Sequence, residues 1–237
     1  PTIVLLHGAG FDHTTWALHS RWFAHHGFGV LAPDLPAHGR SGGAPLATIA
    51  DMADWTAALL DAAGAATARL VGHSMGSLIA LETAARHPAR VTALSLIGTA
   101  ATMTVGPDLL RAAEANDHDA IDMVSIWGLG YQAELGGSLA PGLWMHCGAQ
   151  RVLEQCRPGV LFNDLSACNA YQGALAAAAQ IKVPATLILG ERDMMTPARA
   201  GKALAAALPN SRTVVLPGAG HMMMVERPDE LLAALRS

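Results

Sequence analysis

Residues 68–77 read Ala68-Arg69-Leu70-Val71-Gly72-His73-Ser74-Met75-Gly76-Ser77, and their order decides the fold. A short apolar run with the length of a buried strand passes through a glycine-framed serine into a run of helical period. A strand that turns so sharply into a helix exposes the Ser74 hydroxyl, with Gly72 and Gly76 where the crowded backbone leaves no room for a Cβ. The helix that starts here points its first N–H groups at any negative charge developing beside the serine.

A serine hydroxyl is a weak nucleophile until a base takes its proton, and the base needs a partner to fix its tautomer. Downstream, Gly218-Ala219-Gly220-His221 follows the strand-like run 212–216, and Gly190-Glu191-Arg192-Asp193 follows the run 185–189. His221 is the expected base and Asp193 the expected acid. Glu191 competes for the second role, but Asp193 stands further beyond the strand. Each also has a plain structural reading, Asp193 as a helix cap before Thr196-Pro197 and His221 as a loop histidine. Upstream, His7-Gly8-Ala9-Gly10 closes the run 3–6. The backbone amides of Ala9 and Met75 are the expected oxyanion hole, two preorganised donors at the same edge of the sheet.

Further apolar, β-branched runs at 29–32 and 91–97 alternate with Ala-rich stretches of helical period at 49–63, from Ser74 to about Arg86, at 198–208 and at 229–235. This is the pattern of parallel strands joined by crossover helices, with the sheet buried on both faces. Gly64 suits the stop of the first of these helices and Pro228 the first turn of the last. The alternation fails over 99–181, where helical segments, glycine turns, Trp127 and Trp144 occur without a strand. The reading is α/β, a mostly parallel doubly wound sheet, with the core in 1–98 and 182–237 and 99–181 inserted as a helical lid. Phe11, Trp127, Trp144 and Met222 are candidate pocket residues, as are Met223, Met224, Met194 and Met195, since Met and aromatic side chains make an adaptable apolar lining.

Of the 237 residues, 51% are hydrophobic and 14% charged, and the formal net charge is −4. That charge gives no electrostatic reason to expect a nucleic-acid or anionic-membrane partner, and no apolar run is long enough to span a membrane. The expected partner is a small, largely uncharged molecule, with the protein a monomer or a homodimer. Pro1 leads straight into a strand with no signal-peptide pattern, which makes a cytoplasmic location the expectation. Cys147, Cys156 and Cys168 match neither a disulfide framework nor a zinc knuckle. The histidines His13, His19, His25 and His26 lack metal-ligand spacing, so neither metal nor cofactor is expected.

Taken in order, the loop 7–10, Asp34-Leu35-Pro36-Ala37-His38-Gly39-Arg40-Ser41, the Ser74 elbow, and the Asp193 and His221 loops resemble the α/β-hydrolase superfamily over nearly the whole chain. The resemblance implies acyl transfer to Ser74 with no cofactor, and a structural role for the loop 34–41 in which His38 is not catalytic. Within the superfamily the chain looks like the small bacterial esterases with a helical lid, including the pimeloyl carrier-protein methyl ester esterase type. Enol-lactone and carbon–carbon bond hydrolases share that likeness. They would use the same triad with polar lid groups steering a ketonic substrate, for which Arg151, Arg157, Asn163 and Asn169 are candidates. Perhydrolysis would also use this triad. A serine at the elbow argues against the epoxide hydrolases and dehalogenases, which place an aspartate there. A non-catalytic binding protein on this fold would show a damaged triad. Two features depart from these relatives: the antiparallel strand pair that usually precedes the first strand is not seen, and Ser77 stands where many carry glycine, a change expected to be harmless.

Overall fold

In the computed structural model, which describes residues 1–137 and 143–236, six strands form one sheet: β1 (Thr2–Leu6), β2 (Gly29–Leu31), β3 (Ala68–His73), β4 (Val91–Ile97), β5 (Ala185–Gly190) and β6 (Ser211–Leu216). All neighbours pair in parallel, in the order β2-β1-β3-β4-β5-β6. All six runs read from the sequence are strands, and no antiparallel pair flanks them among the described residues. Around the sheet lie helices α1 (Ala17–His25), α2 (Ile49–Ala62), α3 (Met75–Arg86), α4 (Pro107–Glu114), α5 (His118–Gly128), α6 (Tyr131–Glu134), α7 (Met145–Glu154), α8 (Val160–Ala170), α9 (Ala174–Gln180), α10 (Gly201–Ala207), α11 (Met223–Glu226) and α12 (Pro228–Arg236).

Strand residues alternate between two apolar layers, as period-2 side chains must. Val4, Leu6, Leu70 and Leu187 pack with Ile49, Met52 and Leu60 of α2, Leu78 of α3 and Leu204 of α10. Ile3, Leu5, Val71 and Ile188 pack on the opposite face with Phe23 of α1 and Leu231 and Leu235 of α12. The sheet is thus wound on both sides, and β1, β3, β4 and β5 are mostly apolar because both faces are covered over most of their length. Thr48 caps α2 by accepting from the Asp51 amide, and Gly64, at φ +65°, ends that excursion in a conformation that favours glycine.

Between β4 and β5 the described residues are helical, α4 to α9, with no strand. Leu109, Ala113, Ala120, Val124, Leu153 and Leu165 from these helices join the layer that holds α1 and α12. The strand order reverses beside β1: the chain goes from β1 to β2 on one side and to β3 on the other. Open α/β sheets bind ligands at the carboxyl ends of the strands at such a switch point, here between the loop after β1 and the turn after β3. No helix among the described residues is long and apolar enough to cross a membrane.

Candidate active site

Ser74 sits between β3 and α3 at φ 53° and ψ −119°. For a residue with a Cβ this conformation costs about 1–3 kcal/mol and persists only where the surroundings enforce it. The enforcement is backbone on backbone. A Cβ on Gly72 would lie 2.0 Å from the Gly76 carbonyl oxygen, and one on Gly76 would lie 2.3 Å from that of Leu6. The Ser74 amide donates to the Ile97 carbonyl at 2.9 Å. Ser77 has more than a space-filling part, since its hydroxyl donates to the Ser74 carbonyl at 2.6 Å and meets the Thr99 hydroxyl at 2.9 Å.

At the end of β5, Asp193 is buried and all its acceptor capacity is in use. Oδ1 accepts from the amides of Met195 and Thr196 at 2.9 and 2.7 Å. Oδ2 accepts from the Thr196 hydroxyl at 2.8 Å and from His221 Nδ1 at 2.7 Å. Asp193 therefore closes a turn onto residues 195 and 196 while it holds the histidine; it caps no helix, since the one that follows begins at Ala198 with Pro197 before it and no side-chain cap. Burial pushes the Asp193 pKa up, but His221 and the donors of Thr196 outweigh it and hold the group below its ordinary range. Glu191, the competing acid, instead accepts the Gly218 amide at 2.8 Å.

His221 is buried, and its Nε2 has no hydrogen-bond partner. No hydrogen bond joins it to Ser74, but both side chains line one cavity of about 220 Å³. The backbone around it is fixed from several sides. The amides of His221 and Met222 both donate to the Gly128 carbonyl, at 3.0 and 2.9 Å. The His221 carbonyl accepts from His73 Nε2 at 3.0 Å. His73 is kept neutral, its pKa lowered to about 3 by burial and by the neighbouring His221. Glu226 accepts the amides of Gly220 and Gly130 at 2.9 Å each, and burial raises its pKa against those bonds. His73, Thr196 and Glu226 were not foreseen from the sequence. Only the position of His73, next to the nucleophile, could have flagged one of them.

The loop after β1 is a tight turn closed by the Phe11 amide on the Gly8 carbonyl at 3.2 Å, with Gly10 at φ +71°. Glycine at the third position of such a turn is the type II signature. His7 supports it from below: Nδ1 donates to the Gly8 carbonyl at 2.9 Å and Nε2 accepts the Leu35 amide at 3.1 Å. Ala9 and Gly8 face the cavity with Ser74. The amides of Ala9 and Met75 donate to no other group among the described residues.

Phe11, Trp127, Met222, Met194 and Met195 line the cavity with Met103, Leu109, Val124, Leu165 and Cys168. Trp144 does not: it precedes α7 with its side chain 64% exposed, while Met145, Ala149 and Leu153 form the buried stripe of that helix. Met223 and Met224 are core residues. Arg151, Arg157, Asn163 and Asn169 are all absent from the lining. Arg151 pairs with Glu154, Asn163 donates to the Leu46 carbonyl, and Asn169 accepts the Val105 amide. The three cysteines are free, and burial raises the thiol pKa of Cys168.

Away from the cavity, Asp12, His13 and Asp34 cluster closely enough to be weighed as a metal site. Their oxygens serve the chain instead. Asp34 accepts from the His13 amide and ring and from the Arg40 amide, and Asp12 accepts from the Thr14 amide and hydroxyl.

The family model described as "Alpha/beta hydrolase family" matches residues 3–235, almost the whole chain. The chain belongs to the alpha/beta hydrolase family. A relative of this hydrolase, the pimeloyl-[acyl-carrier protein] methyl ester esterase of Chromobacterium violaceum, is 32% identical over 249 residues, which cover 99% of this chain and 92% of the relative. Among solved structures, the enol-lactonase from Burkholderia xenovorans LB400 is similar with a TM-score of 0.90 and 27% identity, covering 100% of this hydrolase and 90% of that chain. A thermophilic esterase is similar with a TM-score of 0.80 and 28% identity, covering 99% and 87%.

Proposed function

We propose that the protein is a serine hydrolase that cleaves a carboxylic ester or thioester of a small, largely apolar substrate through an acyl-enzyme on Ser74. The observation that carries this reading is His221: its Nδ1 is held by Asp193, its Nε2 has no partner, and the residue lines the same cavity as Ser74. With Nδ1–H donating to the carboxylate, Nε2 keeps its lone pair for a proton.

In the first half-reaction Ser74 Oγ bonds to the ester carbonyl carbon while its proton passes to His221 Nε2. The resulting oxyanion is held by the amides of Ala9 and Met75, donors fixed before the substrate arrives. The carbon–oxygen or carbon–sulfur bond to the leaving group then breaks, and His221 returns its proton to the departing alkoxide or thiolate. In the second half a water attacks the acyl-enzyme with His221 as base, and the acid leaves. Segment 99–181 acts as a lid, contributing Leu109, Val124, Trp127, Leu165 and Cys168 to the wall of the cavity that Ser74 lines. Among the described residues that wall has no charged side chain, which favours an uncharged acyl group and a plain ester over a ketonic substrate steered by polar lid residues.

A panel of p-nitrophenyl esters from acetate to decanoate tests the reading. Turnover by the wild type, falling at least about 10³-fold in Ser74→Ala, is expected from the loss of a triad nucleophile. A wild type that cleaves none of them, or a Ser74→Ala variant that cleaves them as fast, overturns it.

A further inference from the structure

We propose that Asp164, on helix α8 and outside the triad, is a positioning residue for the reaction: with His38 it clamps the turn that carries the Ala9 oxyanion donor. The proposal rests on the serine-hydrolase reading above and adds to it the part that holds the oxyanion turn in shape.

Asp164 is completely buried. Its Oδ2 accepts the Gly10 amide at 2.9 Å and meets His38 Nε2 at 2.7 Å, while Oδ1 takes a longer bond of 3.3 Å from Asn163. The Gly10 amide belongs to the central peptide of the Gly8–Phe11 turn, the unit that rotates when a type II turn becomes a type I turn. Fixing this N–H fixes the plane of the Ala9–Gly10 peptide, and with it the backbone from which the Ala9 amide projects. Glycine supplies the required positive φ but gives the turn no rigidity of its own. The rigidity comes from across the site, 154 positions along the chain.

A bare carboxylate beside an oxyanion hole would oppose the charge that develops there. His38 removes that objection. Its Nδ1 donates to the Pro36 carbonyl at 3.0 Å and its Nε2 lies 2.7 Å from Asp164 Oδ2, a contact that needs one further proton between ring and carboxyl. With that proton shared, the pair carries no net charge, and burial, which lowers the His38 pKa, is outweighed by the bond and charge of Asp164, which raise it. One face of α8 thus does two things. Asp164 holds the oxyanion turn while Leu165 and Cys168 line the cavity.

The test is kinetics of p-nitrophenyl butyrate hydrolysis and fluorophosphonate labelling for wild type, Asp164→Ala and Asp164→Asn, each checked for native circular dichroism. The asparagine can place its amide oxygen at the Oδ2 position and keep the Gly10 bond. In Asp164→Ala we expect kcat and the labelling rate to fall about 30-fold with KM within about threefold, as loosening one oxyanion donor should cost less than removing it. In Asp164→Asn most of that loss should return. A folded Asp164→Ala that keeps kcat within threefold, a loss lying in KM, or an asparagine variant as impaired as alanine would each overturn the proposal. If Asp164→Ala does not fold, the wild type decides by NMR. A downfield, slowly exchanging Gly10 amide resonance supports the clamp, and a fast-exchanging one overturns it. That resonance also separates the two ideas, because it reports the clamp even if the wild type cleaves no ester.

Discussion

Replacing Asp193 by asparagine changes one atom of the site, and the structure sets the direction and size of the result. Oδ1 receives two backbone amides, whereas Oδ2 faces His221 Nδ1 and the Thr196 hydroxyl. Only an oxygen can face the two amides, so the asparagine NH2 must turn towards His221. The reverse orientation leaves both amides without an acceptor, at about 1–3 kcal/mol each. Facing an NH2 donor, His221 Nδ1 gives up its proton to Nε2, and an Nε2–H imidazole cannot take the proton of Ser74. The working tautomer survives only in the disfavoured orientation, so kcat should fall between about 30-fold and 10⁴-fold at neutral pH. Stability should change much less, because the bonds to the two amides are retained. Initial-rate kinetics on a p-nitrophenyl ester, with the melting temperature as control, measures both. A kcat within tenfold of wild type would refute the reasoning. Glu191→Gln is the matched control and should stay within about twofold, since that side chain binds only the Gly218 amide.

Other consequences can be checked separately. In Gly98→Ala the new Cβ would lie 2.9 Å from His221 Cε1 on a backbone at φ +55°. Displacing the ring by a fraction of an ångström should lower kcat about 10- to 100-fold in a folded protein, which single-turnover kinetics would detect. Leu165→Ala removes a branched side chain from the lid-side wall of the cavity. The kcat/KM optimum across the ester panel should move to longer acyl chains, with a stability loss of about 2–5 kcal/mol. Acid should also destabilise the protein early. Burial lowers His7 and His19 to about 4 and His73 to about 3, so all three are neutral when folded and protonated when unfolded at pH 5. Their contribution is complete above pH ~6.5 and disappears as pH falls towards those values, with a slope of about 3–4 kcal/mol per pH unit near pH 5. His19→Gln, which can keep the bond to the Pro228 carbonyl, should flatten the slope by about a third in calorimetry across pH 4.5–7.

The strands and the residues at their carboxyl ends were legible because each is a local signal: an apolar run of fixed length, then a glycine turn, then one functional side chain. The motifs and their order put Ser74, Asp193 and His221 past the ends of β3, β5 and β6, and the parallel sheet sets those ends along one edge, with β4 between the first two. What escaped the reading is contact between distant segments. The Gly128 carbonyl that takes two amides of the His221 loop and the Glu226 carboxylate that joins it to Gly130 show nothing unusual in sequence. Asp164 does leave a trace, since Val160, Asp164 and Cys168 are spaced four apart on the buried face of α8. An acid on such a stripe needs a partner. The candidate pocket residues failed in the same way where the register of a helix was needed. Met222 lines the cavity while Met223 and Met224 do not, and Trp144 points to solvent while Trp127 lies at the wall.

The central claim is that Ser74 is a nucleophile activated by His221. A fluorophosphonate probe tests it directly, because it bonds only to a serine whose proton is removed as it attacks. We predict stoichiometric labelling of the wild type on Ser74, found by peptide mass spectrometry, none in Ser74→Ala, and labelling slowed at least about 10³-fold in His221→Ala. Labelling on another residue, undiminished labelling in Ser74→Ala, or an unreactive wild type would contradict the account.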